Sequence, residues 1–126
     1  MTTVDLTPSA ARVLELLRAA GTPVKAYDLL PQLDVGQMAK PPTVYRALKR
    51  LTEAGLAHRI LSLDAFLACT LHDEPHQPVF AICTACSATS ESAAPSNLVH
   101  ELEAVVPGFR RATMVLEMSG LCDSCR

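Results

Sequence analysis

The chain has 126 residues and a mass of 13.5 kDa, enough for one ordinary domain or two very small ones. Hydrophobic residues make up 49% and charged residues 19%, which excludes wholesale disorder, and with 4% aromatics and no Trp the core must be aliphatic. The net charge is −2, but residues 1–66 hold eight basic and six acidic side chains while residues 67–126 hold three and seven, a net +2 followed by −4. The two halves therefore carry different electrostatic roles, and local patches matter more than the total.

Apolar runs are only a few residues long, too short for a transmembrane helix. The start, Met1-Thr2-Thr3-Val4-Asp5, lacks the basic stretch and apolar run of a secretory signal, so a cytoplasmic location is expected. Five cysteines stand at 69, 83, 86, 122 and 125. An odd count in a reducing compartment argues against a disulfide framework and turns attention to metal binding.

Thr7-Pro8 opens a helix, a hydroxyl cap followed by Pro at the first helical position, and Gly21 ends it after Ala11, Val13, Leu14, Leu16 and Leu17. A second, short helix is expected over Ala26–Leu33, then a polar turn over Asp34–Lys40. Pro41-Pro42 begins a third helix, about 42–54, stopped by Gly55. Leu56–Ile60 and Ala65–Leu71 read as strands joined by a turn at Leu61–Asp64. Three helices followed by a hairpin is the order of a winged helix-turn-helix. After the Pro-rich joint 75–78, strands are expected at Val79–Cys83, Ala88–Ser90 and Arg110–Met118, with a helix at Leu98–Val106.

In the third helix Val44, Ala47, Leu48 and Leu51 share one face, and Tyr45, Arg46, Lys49, Arg50 and Glu53 the opposite one. A basic outer face of this kind is often no more than a solvated surface. Between a short helix and a hairpin, it reads as a recognition helix that enters the major groove, with Lys49 and Arg50 on phosphates. Tyr27 reads by default as a partly buried core tyrosine, with groove contact as the alternative.

Cys83-Thr84-Ala85-Cys86 and Cys122-Asp123-Ser124-Cys125 are two Cys-x-x-Cys knuckles, the second starting 36 residues after the first ends. Two such turns supply four thiolates for a closed tetrahedral zinc site. A redox dithiol is the rival, and a zinc deaminase would need Pro directly before the first Cys, where Ile82 stands. His58, Cys69, His72, His76, Glu91 and His100 form a further N, S and O donor set bracketing the joint. Four protein donors leave no open position for a hydrolytic zinc, so an enzyme is not expected.

Pro41-Pro42-Thr43-Val44-Tyr45-Arg46-Ala47-Leu48, Gly55-Leu56-Ala57-His58, Phe66-Leu67-Ala68-Cys69 and the two knuckles together resemble the ferric uptake regulator family, over roughly residues 7–126. The resemblance is strongest to its zinc-sensing members. It implies an α+β fold: a winged-helix DNA-binding domain over 1–72, a hinge over 73–78, and a small α/β dimerisation domain over 79–126. It implies a homodimer that binds an A·T-rich palindromic operator when zinc-loaded and represses zinc-uptake genes, with no membrane partner.

Two Zn²⁺ per subunit follow from the resemblance. A structural ion falls on Cys83, Cys86, Cys122 and Cys125, and a regulatory one on His58, Cys69, His76 and Glu91. DNA contacts fall on Tyr27 and Arg46, with Thr43, Tyr45, Lys49 and Arg50 beside them, and His72 and His100 are candidates for a further metal. The thiolate of Cys69 favours zinc over the harder ferrous ion. Sensing of iron, manganese, nickel or peroxide is the alternative within the family. The resemblance also implies an additional N-terminal helix and, in some relatives, a His- or Cys-rich tail, neither of which these 126 residues contain.

Overall fold

Thr7 holds an extended backbone (φ −63°, ψ 158°) and its Oγ1 accepts the Ala10 N–H at 3.1 Å, which starts α1, Pro8–Ala20, in the computed structural model. Gly21 ends the helix at φ 67°, a left-handed conformation that suits glycine, and donates its N–H to the Leu17 carbonyl at 3.2 Å. The structure describes residues 6–33, 40–71 and 75–126. His72, and the expected polar turn as far as residue 39, lie outside the described residues. The chain divides into two units, Met1–Cys69 and Thr70–Arg126.

In the first unit α2 spans Ala26–Leu33 and α3 spans Pro41–Glu53, with Pro41 at the first helical position and Gly55 at φ 74° just beyond the end. Pro31 lacks an N–H and sits inside α2, which is consistent with a helix of only eight residues. The three helices and the hairpin close a core of Ala10, Val13, Leu14 and Leu17, Ala26 and Leu29, Val44, Ala47, Leu48 and Leu51, and Ala57 and Ala68. Its large members are aliphatic, as the composition requires. Burial of each Leu contributes about 1.5–3 kcal/mol.

The hairpin consists of β1, Ala57–Ile60, and β2, Ala65–Ala68, antiparallel with Ala57 opposite Ala68 and Ile60 opposite Ala65. Both strands are shorter than expected, and they pair at four positions on either side of the four-residue turn. The Cys69 N–H still reaches the Leu56 carbonyl at 2.9 Å, one step past the strand ends. Arg59 and Asp64 form an exposed ion pair at 2.7 Å beside the turn, where Asp64 takes φ 48°. Val24 adds an isolated bridge, exchanging two 2.8 Å hydrogen bonds with Phe66, so the segment between α1 and α2 runs along the hairpin edge.

The second unit contains β3, Pro78–Cys83, β4, Thr89–Ala93, α4, Ser96–Ala104, and β5, Leu116–Gly120. The sheet order is β4-β3-β5, with β4 antiparallel and β5 parallel to β3. The parallel return needs a crossover, which the α4 segment supplies. The expected third strand over Arg110–Met118 is corrected to Leu116–Gly120. Alternation alone cannot fix a register, and here it is set by pairing Val79 with Leu116 and Cys83 with Gly120. The helix expected at Leu98–Val106 starts and ends two residues earlier, since Pro95 in an extended conformation caps it and accepts from Leu98 and Val99. The strand expected at Ala88–Ser90 is likewise β4, which runs to Ala93 and pairs along β3 as far as Pro78.

Candidate metal centre and nucleic-acid interface

The parallel ladder brings the two knuckles together. Cys83 is the last residue of β3 and pairs with Gly120 at the end of β5, two residues before Cys122. The Thr84 N–H donates to the Gly120 carbonyl at 2.8 Å, and the Thr84 hydroxyl reaches the same oxygen at 3.2 Å. Each knuckle is a tight turn: Ser87 N–H bonds the Cys83 carbonyl at 2.9 Å, and Cys125 and Arg126 N–H groups bond the Cys122 carbonyl at 3.0 and 3.1 Å. Ser87 takes φ 66° to complete the first turn.

As a result the sulfurs of Cys83, Cys86, Cys122 and Cys125 all lie within 4.8 Å of one another, and Cys86 Sγ is 3.8 Å from Cys122 Sγ. All are free thiols. A disulfide would need about 2.0 Å between sulfurs. Zinc bonded to four sulfurs at about 2.3 Å places them at tetrahedral corners about 3.8 Å apart. The donor chemistry and the spacing both fit zinc, and one four-sulfur cluster is not what two independent redox dithiols would form.

The electrostatics point the same way. Backbone N–H groups of Cys122 and Cys86 turned toward Cys83 hold its thiol down at about 6, so it is a thiolate at neutral pH. Cys125 is pushed up to about 12, because its proton is shared with the sulfur of Cys122 first and with those of Cys86 and Cys83 next. The cluster thus stores negative charge on one side and retains a proton on the other, a state that a dication relieves.

The residues of the other expected donor set form two pairs, one in each unit. In the first unit His58 on β1 and Cys69 just past β2 bring a ring nitrogen and a buried sulfur within 4.8 Å. In the second unit His76 Nε2 lies 2.7 Å from Glu91 Oε2, with the Glu91 side chain fully enclosed and that of His76 13% exposed. Thr70 holds the other carboxylate oxygen, donating its N–H to Glu91 Oε1 at 3.1 Å with its hydroxyl at 3.5 Å. Sequence reading missed Thr70; its partner is 21 residues away and no local pattern announces the bond. His100 is on α4, side chain 80% exposed, 3.9 Å from Glu103. It belongs to no group of three or more potential metal ligands among the described residues.

On α3 the amphipathic division is as expected. Val44, Ala47, Leu48 and Leu51 are buried, while Tyr45, Arg46, Lys49 and Arg50 are exposed and Thr43 half-buried. Lys49 approaches Glu53 at only 4.0 Å on an open surface. Tyr27 requires a correction: it is 77% exposed, not a core residue. Ala26 and Leu29 take the buried face of α2, which turns position 27 outward. The first unit therefore presents two exposed tyrosines and three exposed basic side chains on α2 and α3.

A winged helix-turn-helix unit followed by a unit that gathers four thiolates around one point defines a metal-binding protein of the helix-turn-helix class. No protein-family model matches the chain. It is 40% identical to the zinc uptake regulation protein of Escherichia coli (strain K12), across 97% of this chain and 73% of that protein. A zinc uptake regulator solved in complex with zinc and DNA is 39% identical with a TM-score of 0.87, covering 96% of this chain and 83% of that one. The holo XcZur crystal structure is 40% identical with a TM-score of 0.85, covering 98% of this chain and 87% of that one. The chain belongs to the ferric uptake regulator family, in its zinc uptake regulator branch.

Proposed function

We propose that the chain is a zinc-dependent transcriptional repressor that binds operator DNA as a homodimer when zinc-loaded and controls zinc-uptake genes. The observation that carries this reading is the union, in one chain, of an exposed basic recognition helix and a four-thiolate cluster with zinc spacing. The family supports it, since a relative 39% identical is a zinc uptake regulator solved with zinc and DNA.

In this reading Tyr45 and Arg46 face base edges, Tyr27 joins them from α2, and Thr43, Lys49 and Arg50 hold phosphates. Cys83, Cys86, Cys122 and Cys125 keep a structural zinc that ties the end of β5 to the end of β3. His58, Cys69, His76 and Glu91 take a second, exchangeable zinc. What supports that set is its chemistry: two imidazoles, a thiolate and a carboxylate suit a borderline-soft ion. His58 and Cys69 come from one unit and His76 and Glu91 from the other, so ligation by all four selects one relative orientation of the units, the one that presents paired recognition helices to DNA.

Exposed apolar side chains on the second unit, among them Val105, Val106, Phe109 and Met118, support its use as the dimer surface. A gel shift on an A·T-rich palindrome tests the function. Retardation with zinc that is lost on chelation is the expected result; binding indifferent to zinc contradicts it.

A further inference from the structure

Glu91 is held asymmetrically. Its side chain is fully enclosed, Oε2 faces His76 Nε2 at 2.7 Å, and Oε1 accepts the Thr70 N–H at 3.1 Å with the Thr70 hydroxyl at 3.5 Å. A carboxylate can ligate a metal through one oxygen or both, and the choice sets the coordination number. An oxygen that already accepts an N–H bond is a poor second ligand, since ligation would tilt the carboxylate and break that bond.

We infer that Thr70 is a positioning residue that makes Glu91 a one-oxygen ligand through Oε2, and thereby biases the exchangeable site toward four-coordinate zinc over ions that demand more oxygen donors. This rests on the proposed assignment of Glu91 and His76 to that site. The physical argument is one of coordination number. Zinc is content with four donors in a tetrahedron, whereas manganese prefers octahedral, oxygen-rich surroundings. Releasing Oε1 adds a fifth donor of the hard type, which helps manganese more than zinc. Thr70 thus acts on selectivity without itself touching the ion.

The test uses the full-length protein with its four-cysteine zinc retained, and measures zinc and manganese affinities at the exchangeable site together with the visible spectrum of the cobalt-substituted site. Thr70→Pro deletes the N–H donor and Thr70→Val deletes only the hydroxyl. Thr70→Ser keeps both and should match the wild type. In Thr70→Pro zinc affinity should fall about 10–100-fold, the range typical for lost outer-shell partners. Manganese affinity should hold or rise, and the intense cobalt bands of a tetrahedral site should weaken. Thr70→Val should move the zinc-to-manganese ratio in the same direction by several-fold, and it decides the matter if Thr70→Pro does not fold. An equal loss for both metals, or an unchanged ratio and spectrum, overturns the inference, because a merely structural role loosens both ions alike. Failure of the underlying site is a separate outcome: His76→Ala would then bind a second zinc as the wild type does.

Discussion

Cys83 stands directly opposite Gly120 in the parallel ladder of β3 and β5. That single register explains how two knuckles 36 residues apart converge, since each follows the same end of adjacent strands. It also ties metal binding to folding of the second unit, because a bound ion would add a clasp to the knuckle's own turn, the Thr84–Gly120 hydrogen bonds and the Cys122 N–H turned toward Cys83.

Cys122→Ser should therefore lose the tightly held zinc and loosen β5, seen as early loss of amide-exchange protection over residues 116–120. Mild chelation of the wild type should leave one zinc per subunit. Full metal content and unchanged protection in the variant would contradict the structural role.

Zinc uptake by the cluster should depend on pH with a sign set by its two displaced thiols. Cys125, pushed up to about 12, is protonated throughout the neutral range and must release its proton when metal binds. Affinity should then rise at least about tenfold per pH unit around neutrality. Cys83, held at about 6, adds a further proton to displace only when the pH falls below that value, and there the slope should steepen. For the metal-free fold the signs are opposite. The Cys83 contribution to stability is complete above about 9 and lost as pH falls through about 6, and that of Cys125 is complete below about 9 and lost as pH rises through about 12. Competition titrations with a zinc chelator at several pH values check the slope.

On α3, Arg46→Ala should weaken operator binding by about 1–3 kcal/mol and relax sequence preference, as loss of a base contact does. Lys49→Ala should weaken all sequences alike and flatten the salt dependence by about one unit. Anisotropy titrations at several salt concentrations distinguish the two. Unchanged binding for both variants would mean that this face of α3 does not meet DNA.

Leu51, fully buried between the helices of the first unit, tests the core. Leu51→Ala should cost about 2–5 kcal/mol of stability, measured by denaturant unfolding, while sparing the four-cysteine zinc.

The helices and the candidate donor side chains were legible in the sequence because their signals are local. Thr7-Pro8, Pro41 and Gly21 punctuate the helices chemically, and Val44, Ala47, Leu48 and Leu51 repeat with helical period. Elements set by long-range pairing were less legible. The β5 register depends on β3 residues some 37 positions away, so alternation over Arg110–Met118 misplaced the strand. The Val24–Phe66 bridge and the Thr70–Glu91 bond were invisible for the same reason. Tyr27 was misjudged because an eight-residue helix offers too few turns to tell its buried side from its exposed one.

The central claim is that an exchangeable zinc at His58, Cys69, His76 and Glu91 controls DNA binding. Linkage requires that DNA tighten zinc binding by the factor by which zinc tightens DNA binding, typically worth about 1–3 kcal/mol. The most direct measurement is a zinc titration of operator binding by the wild type and by Cys69→Ser. The variant should keep its fold, the proposed dimer and the four-cysteine zinc, yet lose most of the zinc-dependent gain in DNA affinity. A Cys69→Ser protein that responds to zinc like the wild type would contradict the account.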